Sequence, residues 1–145
     1  MCAVRLSTGM RDGMCGSSGL KELFEGGFIG IYSGGQPATA DVAETGSLLT
    51  TISSSSGTAG ITFGTAGTGQ LGKSSGVWSG LIGTAGVAGW FRMYDAGHLL
   101  GTSGTAVRMD GNVGVSGSDM VLSNTSQVVG ATLTIDQATF TEPAA

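Results

Sequence analysis

Charge is scarce in this chain: Asp, Glu, Lys and Arg together make up 11% of its 145 residues. The few cations, Arg5, Arg11, Lys21, Lys73, Arg92 and Arg108, stand singly. No basic stripe exists to neutralise a run of phosphates, which argues against a nucleic-acid partner. The net charge of −4 is a mild acidic balance that points to no particular partner. No run of about 18 apolar residues occurs, so no membrane-spanning helix is expected. There is 1 histidine, His98, and the 2 cysteines, Cys2 and Cys15, lie near the N-terminus. Two thiols with twelve residues between them, and no partner ligands nearby, do not have zinc spacing. A disulfide scaffold would be denser and would follow a secretion signal, and the opening residues lack the apolar run of one. Synthesis in a reducing cytoplasm with both thiols free is therefore expected, a Cys2–Cys15 bridge being the alternative in an oxidising medium.

What the chain does have is glycine, 28 residues of it, together with 40% hydrophobic residues. Disordered chains combine low hydrophobicity with high net charge, and this composition has neither. The glycines follow no collagen-like triplet. They cluster between short apolar runs, as in a protein of many turns and short strands, and the length suits one domain with one core.

Residues 1–19 show no periodicity and are expected to form an N-terminal arm. Leu20, Leu23 and Phe24 then recur at helical spacing, which predicts one short helix over 20–26, capped by Ser17 or Ser18 and ended by Gly26 and Gly27. Residues 27–145 read as strands: Phe28–Tyr32, Ser47–Ile52, Ile61–Phe63, Val77–Ile82, Gly89–Tyr94 and Met120–Leu122. Ala106–Val115 looks like a hairpin turning at Asp110-Gly111-Asn112. Over 127–140, Val129, Ala131, Leu133 and Ile135 alternate with polar residues, the pattern of a strand with one buried face. Gly-Thr-Ala-Gly recurs at 57–60, 64–67 and 83–86 with unequal spacing, which is turn punctuation rather than a solenoid repeat. About eight or nine short strands with frequent turns predict an all-β fold, an antiparallel β-sandwich or jelly roll with an N-terminal arm and one short helix.

Candidate chemistry is thin. Gly67-Thr68-Gly69-Gln70-Leu71-Gly72-Lys73-Ser74 matches the phosphate-loop pattern, but that motif must open a helix whose N-terminus faces the anion. Ser75-Gly76-Val77-Trp78 follows instead, so a hairpin connection is expected. His98 near Asp95 has no discriminating partner among the many serines. No catalytic, cofactor-binding or metal-binding residues are assigned, and no enzyme activity is expected. Asn124-Thr125-Ser126 reads as a surface loop. Trp78, Trp90, Phe91 and Tyr94 form the richest aromatic grouping, suited to a core or subunit interface and, as an alternative, to a sugar platform. The expected interface residues are Leu20, Leu23, Phe24, Trp78 and Trp90.

Read as a unit, Arg5-Leu6-Ser7-Thr8-Gly9-Met10-Arg11, the Leu20–Phe24 helix and Ile29-Gly30-Ile31-Tyr32-Ser33-Gly34-Gly35-Gln36-Pro37 resemble small virion proteins encoded in tailed-phage and prophage genomes. Val77-Trp78-Ser79-Gly80, Gly89-Trp90-Phe91-Arg92-Met93-Tyr94 and Arg108-Met109-Asp110-Gly111-Asn112 extend the resemblance over nearly the whole chain. It implies a structural protein of the virion, made in the host cytoplasm. A capsid-associated or decoration protein is expected first and a collar, neck or tail component second, while a carbohydrate-binding adhesion module is the reading from another class. The implied partners are other virion subunits and further copies of the chain, with no nucleic acid, membrane or cofactor. The N-terminal arm would be the anchor to a neighbouring subunit.

Overall fold

The structure, a computed structural model, describes residues 4–141. Eleven strands and two short helices follow in the order β1 (Arg5–Leu6), α1 (Thr8–Cys15), α2 (Leu20–Phe24), β2 (Phe28–Ser33), β3 (Leu48–Ser54), β4 (Gln70–Gly72), β5 (Trp78–Leu81), β6 (Gly86–Tyr94), β7 (Arg108–Gly114), β8 (Met120–Val121), β9 (Ser126–Gln127), β10 (Thr132–Ile135) and β11 (Thr139–Thr141). The fold is all-β and mostly antiparallel. Nine strands form one sheet in the order β1-β7-β6-β2-β3-β5-β10, with β8 beside β7 and β9 beside β6. Only β7–β8 is parallel, and β4 and β11 make a small separate pair.

The centre of the sheet is buried on both faces, which is why β2 and β6 read as continuous apolar runs rather than alternating ones. Ile29 and Ile31 lie opposite Met93 and Phe91 on one face, and Gly30 and Tyr32 lie opposite Arg92 and Trp90 on the other. The first face carries the hydrophobic core, where Phe24, Ile52, Ile61, Phe63 and Trp78 pack against those residues. The second face is polar and lies beneath the connections 34–47 and 95–107, whose carbonyls and side chains bond to it.

Three expectations are corrected. Asp110-Gly111-Asn112 does not turn; it runs through the middle of β7, opposite Arg92, Phe91 and Trp90. A side chain at Gly111 would come within 2.5 Å of the Phe91 ring, so glycine here makes room for a neighbour rather than for a turn. Residues 127–140 are not one strand: β9, a turn, β10 and β11 share them, and Val129 and Ala131 are exposed instead of buried. Ile61–Phe63 makes backbone bonds to Gly26 and Gly27 and a single bridge to Lys73, without becoming a strand.

The leader is also not an arm within its described residues. β1 pairs with β7, and α1 follows as a second helix where one was expected. Thr8–Cys15 has little apolar periodicity to announce a helix. Its N-cap supplies the hold: the buried Ser7 Oγ accepts from Met10 N at 3.1 Å and from Arg108 N at 2.9 Å, and donates to the Ala106 carbonyl at 2.7 Å. Asp41 accepts from both the N–H and the hydroxyl of Thr8. The helix is thus tied to the sheet and to the 34–47 connection by hydrogen bonds that no local pattern signals. The expected α2 forms over fewer residues, with Gly19 rather than Ser17 or Ser18 at its start and Glu22 reaching back to the Gly19 N–H at 3.1 Å. Cys15 is exposed and free, while Cys2 and any bridge to it lie outside the described residues.

Candidate functional site

The titratable residues converge beneath the 34–47 and 95–107 connections. β6 and β7 place Arg92 opposite Asp110, and the guanidinium meets the carboxylate with two bonds, Nε–Oδ1 at 2.6 Å and Nη2–Oδ2 at 2.8 Å. Arg92 Nη1 donates to the Val42 carbonyl at 2.9 Å and to Glu44 Oε1 at 3.1 Å. The Tyr94 hydroxyl donates to Glu44 at 2.9 Å and lies 2.6 Å from that of Tyr32, and the Gly101 N–H donates to the other Glu44 oxygen. Tyr32 stacks on Trp90 at 4.5 Å, and the Trp90 indole N–H donates to the Thr45 carbonyl. Arg108 reaches the carbonyls of Ala40 and Leu99.

Burial works against the charge on Arg92, but the Asp110 hydrogen bonds outweigh it and hold the guanidinium firmly protonated. Burial likewise opposes ionisation of Glu44. Hydrogen bonds from Gly101, its own N–H and Tyr94, with Arg92 alongside, outweigh that and lower its carboxyl below the usual range. Burial, then the bond from Tyr32, pushes the Tyr94 phenol far above its ordinary value. Arg92, Asp110 and Arg108 are wholly buried. Their hydrogen bonds run to the chain's own connections and strands, so the cluster is a brace fastening both connections to the sheet.

The single histidine belongs to the same region. His98 stacks on Phe28 at 4.9 Å and meets Tyr94 edge-on at 4.7 Å, and burial lowers its pKa. It is an aromatic wedge that the 95–107 connection sets against Phe28 of β2 and Tyr94 of β6. The phosphate-loop look-alike is a hairpin: Thr68 and Gly69 both have positive φ, and Gly67 and Gln70 exchange backbone bonds as in a type I′ turn. Lys73 Nζ donates to the carbonyls of Ser74 and Gly76. Asn124 lies on an exposed connection, its side chain accepting from Ser126 N.

The expected interface residues are used inside the fold. Phe24, Trp78 and Trp90 are at most 1% exposed, and Leu20 and Leu23 are half-buried against the core. Trp78 meets Phe63 edge-on and donates to the Thr62 carbonyl. None of the three buried aromatics offers a ring face to a partner or a sugar.

Two surface features remain. The first is a groove of about 750 Å³ where β10 and β11 approach β8. Met120, Leu122, Leu133, Phe140, Trp78 and Phe91 are among the residues lining it, and Asp119 and Asp136 are its charged residues. The second is an apolar end. Backbone bonds from Ile82 N to the Ala131 carbonyl, from Gly130 N to that of Ile82 and from Gly83 N to that of Leu49 knot the β5–β6 and β9–β10 connections and the start of β3 together. Around this knot and the adjoining β6–β9 pair, Leu48, Leu81, Val87, Val128 and Val129 are exposed. Sequence reading missed this end because Val128-Val129 before an alternating run reads as strand, and its only contrary signal was the glycine at 130.

Among the described residues no helix is long and apolar enough to cross a membrane. Comparison of the chain with protein-family models, with curated proteins and with solved structures found no match.

Proposed function

We propose that the chain is a non-catalytic structural subunit of a tailed-phage particle, in first place a capsid-associated or decoration protein. The observation that carries this reading is a contrast. The buried charged and phenolic groups are spent on bracing the chain's own connections, while Val128 and Val129 in a turn and Leu48, Leu81 and Val87 in strands are exposed. Buried charges paired in this way specify one arrangement rather than perform chemistry. Exposed apolar patches on a rigid frame are what protein contacts are made from. A β-sandwich architecture belongs to the same proposal. Its support is that β10 and β8, far apart in the strand order, both line one groove over a shared core.

Quantitative mass spectrometry of purified particles tests the reading. Copy number comparable to that of the shell subunit is expected for decoration, and a dozen copies or fewer would move the chain to the alternative position at the collar, neck or tail. Absence from particles would overturn the reading. A carbohydrate-binding role retains one favouring observation, the polar residues Asp119, Asn124, Asp136 and Gln137 around the half-buried Phe140 in the groove. Glycan binding lost on Phe140→Ala in a folded variant would establish it.

A further inference from the structure

We propose that the groove between β8 and β10 takes up an extended segment of a different protein as an added strand, one whose lysine or arginine side chains meet Asp119 and Asp136. The proposal concerns how the chain grips another protein and does not rest on the phage reading.

Both strands beside the groove are end strands. β10 pairs only with β5, and β8 only with β7. Next to the β5–β10 ladder the Ile82 N–H donates to the Ala131 carbonyl. Two residues further along each strand, Gly80 and Leu133 face each other with their backbone groups, and then Trp78 and Ile135 do so. Leu81 turns its carbonyl the other way, to the Thr50 hydroxyl of β3, which fits that register. Thr132 and Thr134 therefore turn their N–H and C=O groups away from β5, and no described strand receives them. Sheets ordinarily blunt such an edge with lysine, proline or a bulge. Thr132-Leu133-Thr134-Ile135 carries neither charge nor proline, and its register with β5 is unbroken. Thr134 lines the groove, so an occupant meets open backbone groups there. Ile29, Trp78, Phe91 and Met93 of the core line it too, and they offer apolar contact to alternate side chains of an added strand.

Charge narrows the occupant. Asp119 directly precedes β8 and Asp136 directly follows β10, both are exposed, and no Lys, Arg or His lines the groove. Asp119 accepts from the Asn112 N–H, and among the described residues neither carboxylate has a salt bridge. An acidic segment would be repelled by both carboxylates, and a basic one is drawn to them. A second copy is a poor source of that cation. Arg92 and Arg108 are buried, and Arg5, Arg11, Lys21 and Lys73 donate to oxygens of their own chain.

The test is amide hydrogen exchange of the full chain, read residue by residue by nuclear magnetic resonance. Two end-blocked probe peptides of about six residues, the usual strand length, alternate valine with lysine or valine with glutamate. The lysine probe at about 1 mM is expected to slow exchange at Thr132 and Thr134 about tenfold, and the glutamate probe to leave both unchanged. Thr134→Pro removes an outward N–H without taking a bond from β5, and is expected to fold and to lose the protection. Asp119→Asn/Asp136→Asn keeps the shape of the groove and is expected to weaken binding of the lysine probe about tenfold. Threonine amides that exchange as fast with the lysine probe as without it would overturn the proposal. So would equal protection by both probes, or undiminished protection in the folded asparagine variant. Protection that rises with chain concentration alone would give the edge to a second copy, and overturn it as well.

Discussion

Arg92 donates two hydrogen bonds to Asp110 where neither side chain touches water, so each keeps the other's charge tolerable. Truncating one partner leaves the other buried and unpaired, which typically costs about 3–5 kcal/mol. Asp110→Ala is expected to lose that much in urea unfolding, and a loss below about 1 kcal/mol would contradict the brace. Arg92→Lys keeps the charge but cannot form the two-pronged contact, and should be destabilised as well. Acid weakens the same region through Glu44 and His98. Glu44 is held below its ordinary carboxyl value, so its contribution is complete above that value and is lost as pH falls through the lowered one. His98 is lowered by burial, so the unfolded chain takes up its proton first and stability falls as pH drops from about 6.5. His98→Phe keeps a ring against Phe28 and Tyr94 and is expected to flatten the stability profile below about pH 6.5. An unchanged profile would remove His98 as its source.

At the scale of elements, β7 shows how a local signal is overridden. Asp-Gly-Asn is strong turn chemistry, yet Asp110 is drawn to Arg92 and Gly111 leaves space for the Phe91 ring. Gly111→Ala is expected to cost about 1–3 kcal/mol and to alter the near-ultraviolet signal of the aromatic core. Helix α1 is the opposite case, an element with almost no signal of its own. Its cap Ser7 also accepts from the Arg108 N–H, so it joins the helix to the sheet. Ser7→Ala is expected to cost about 1–3 kcal/mol and to speed hydrogen exchange at the amides of Met10 and Arg108. Exchange unchanged at both amides would contradict that role. Because β1 and α1 are built into the fold, removing residues 1–19 would test stability as much as anchoring. Strands β2, β3, β5 and most of β6 were legible because dense apolar runs bounded by glycine leave few other readings. In 127–140 the alternation held only at Leu133 and Ile135, since the turn at 128–131 presents Val129 to solvent.

For the whole molecule, composition indicated an all-β chain because abundant glycine with frequent apolar runs suits short strands and turns. What composition does not carry is partnership between distant residues. Glu44 meets Tyr94, Asp41 meets Thr8, and Ser7 meets Arg108, each across more than thirty positions. The same limit hid the apolar end, whose three segments come together through the β3–β5 and β5–β10 pairings and the backbone bonds at Ile82, Gly83 and Ala131. Trp78 and Trp90 were legible as core or interface without a choice between the two, because an aromatic bound for the core and one bound for an interface have the same sequence signature. The central claim is that this fold is an assembly part whose polar groups serve the chain and whose apolar end serves its neighbours. Cryo-electron microscopy of purified particles tests it most directly. The account predicts copies of the chain at repeating positions on the shell. Particles without the chain would contradict it.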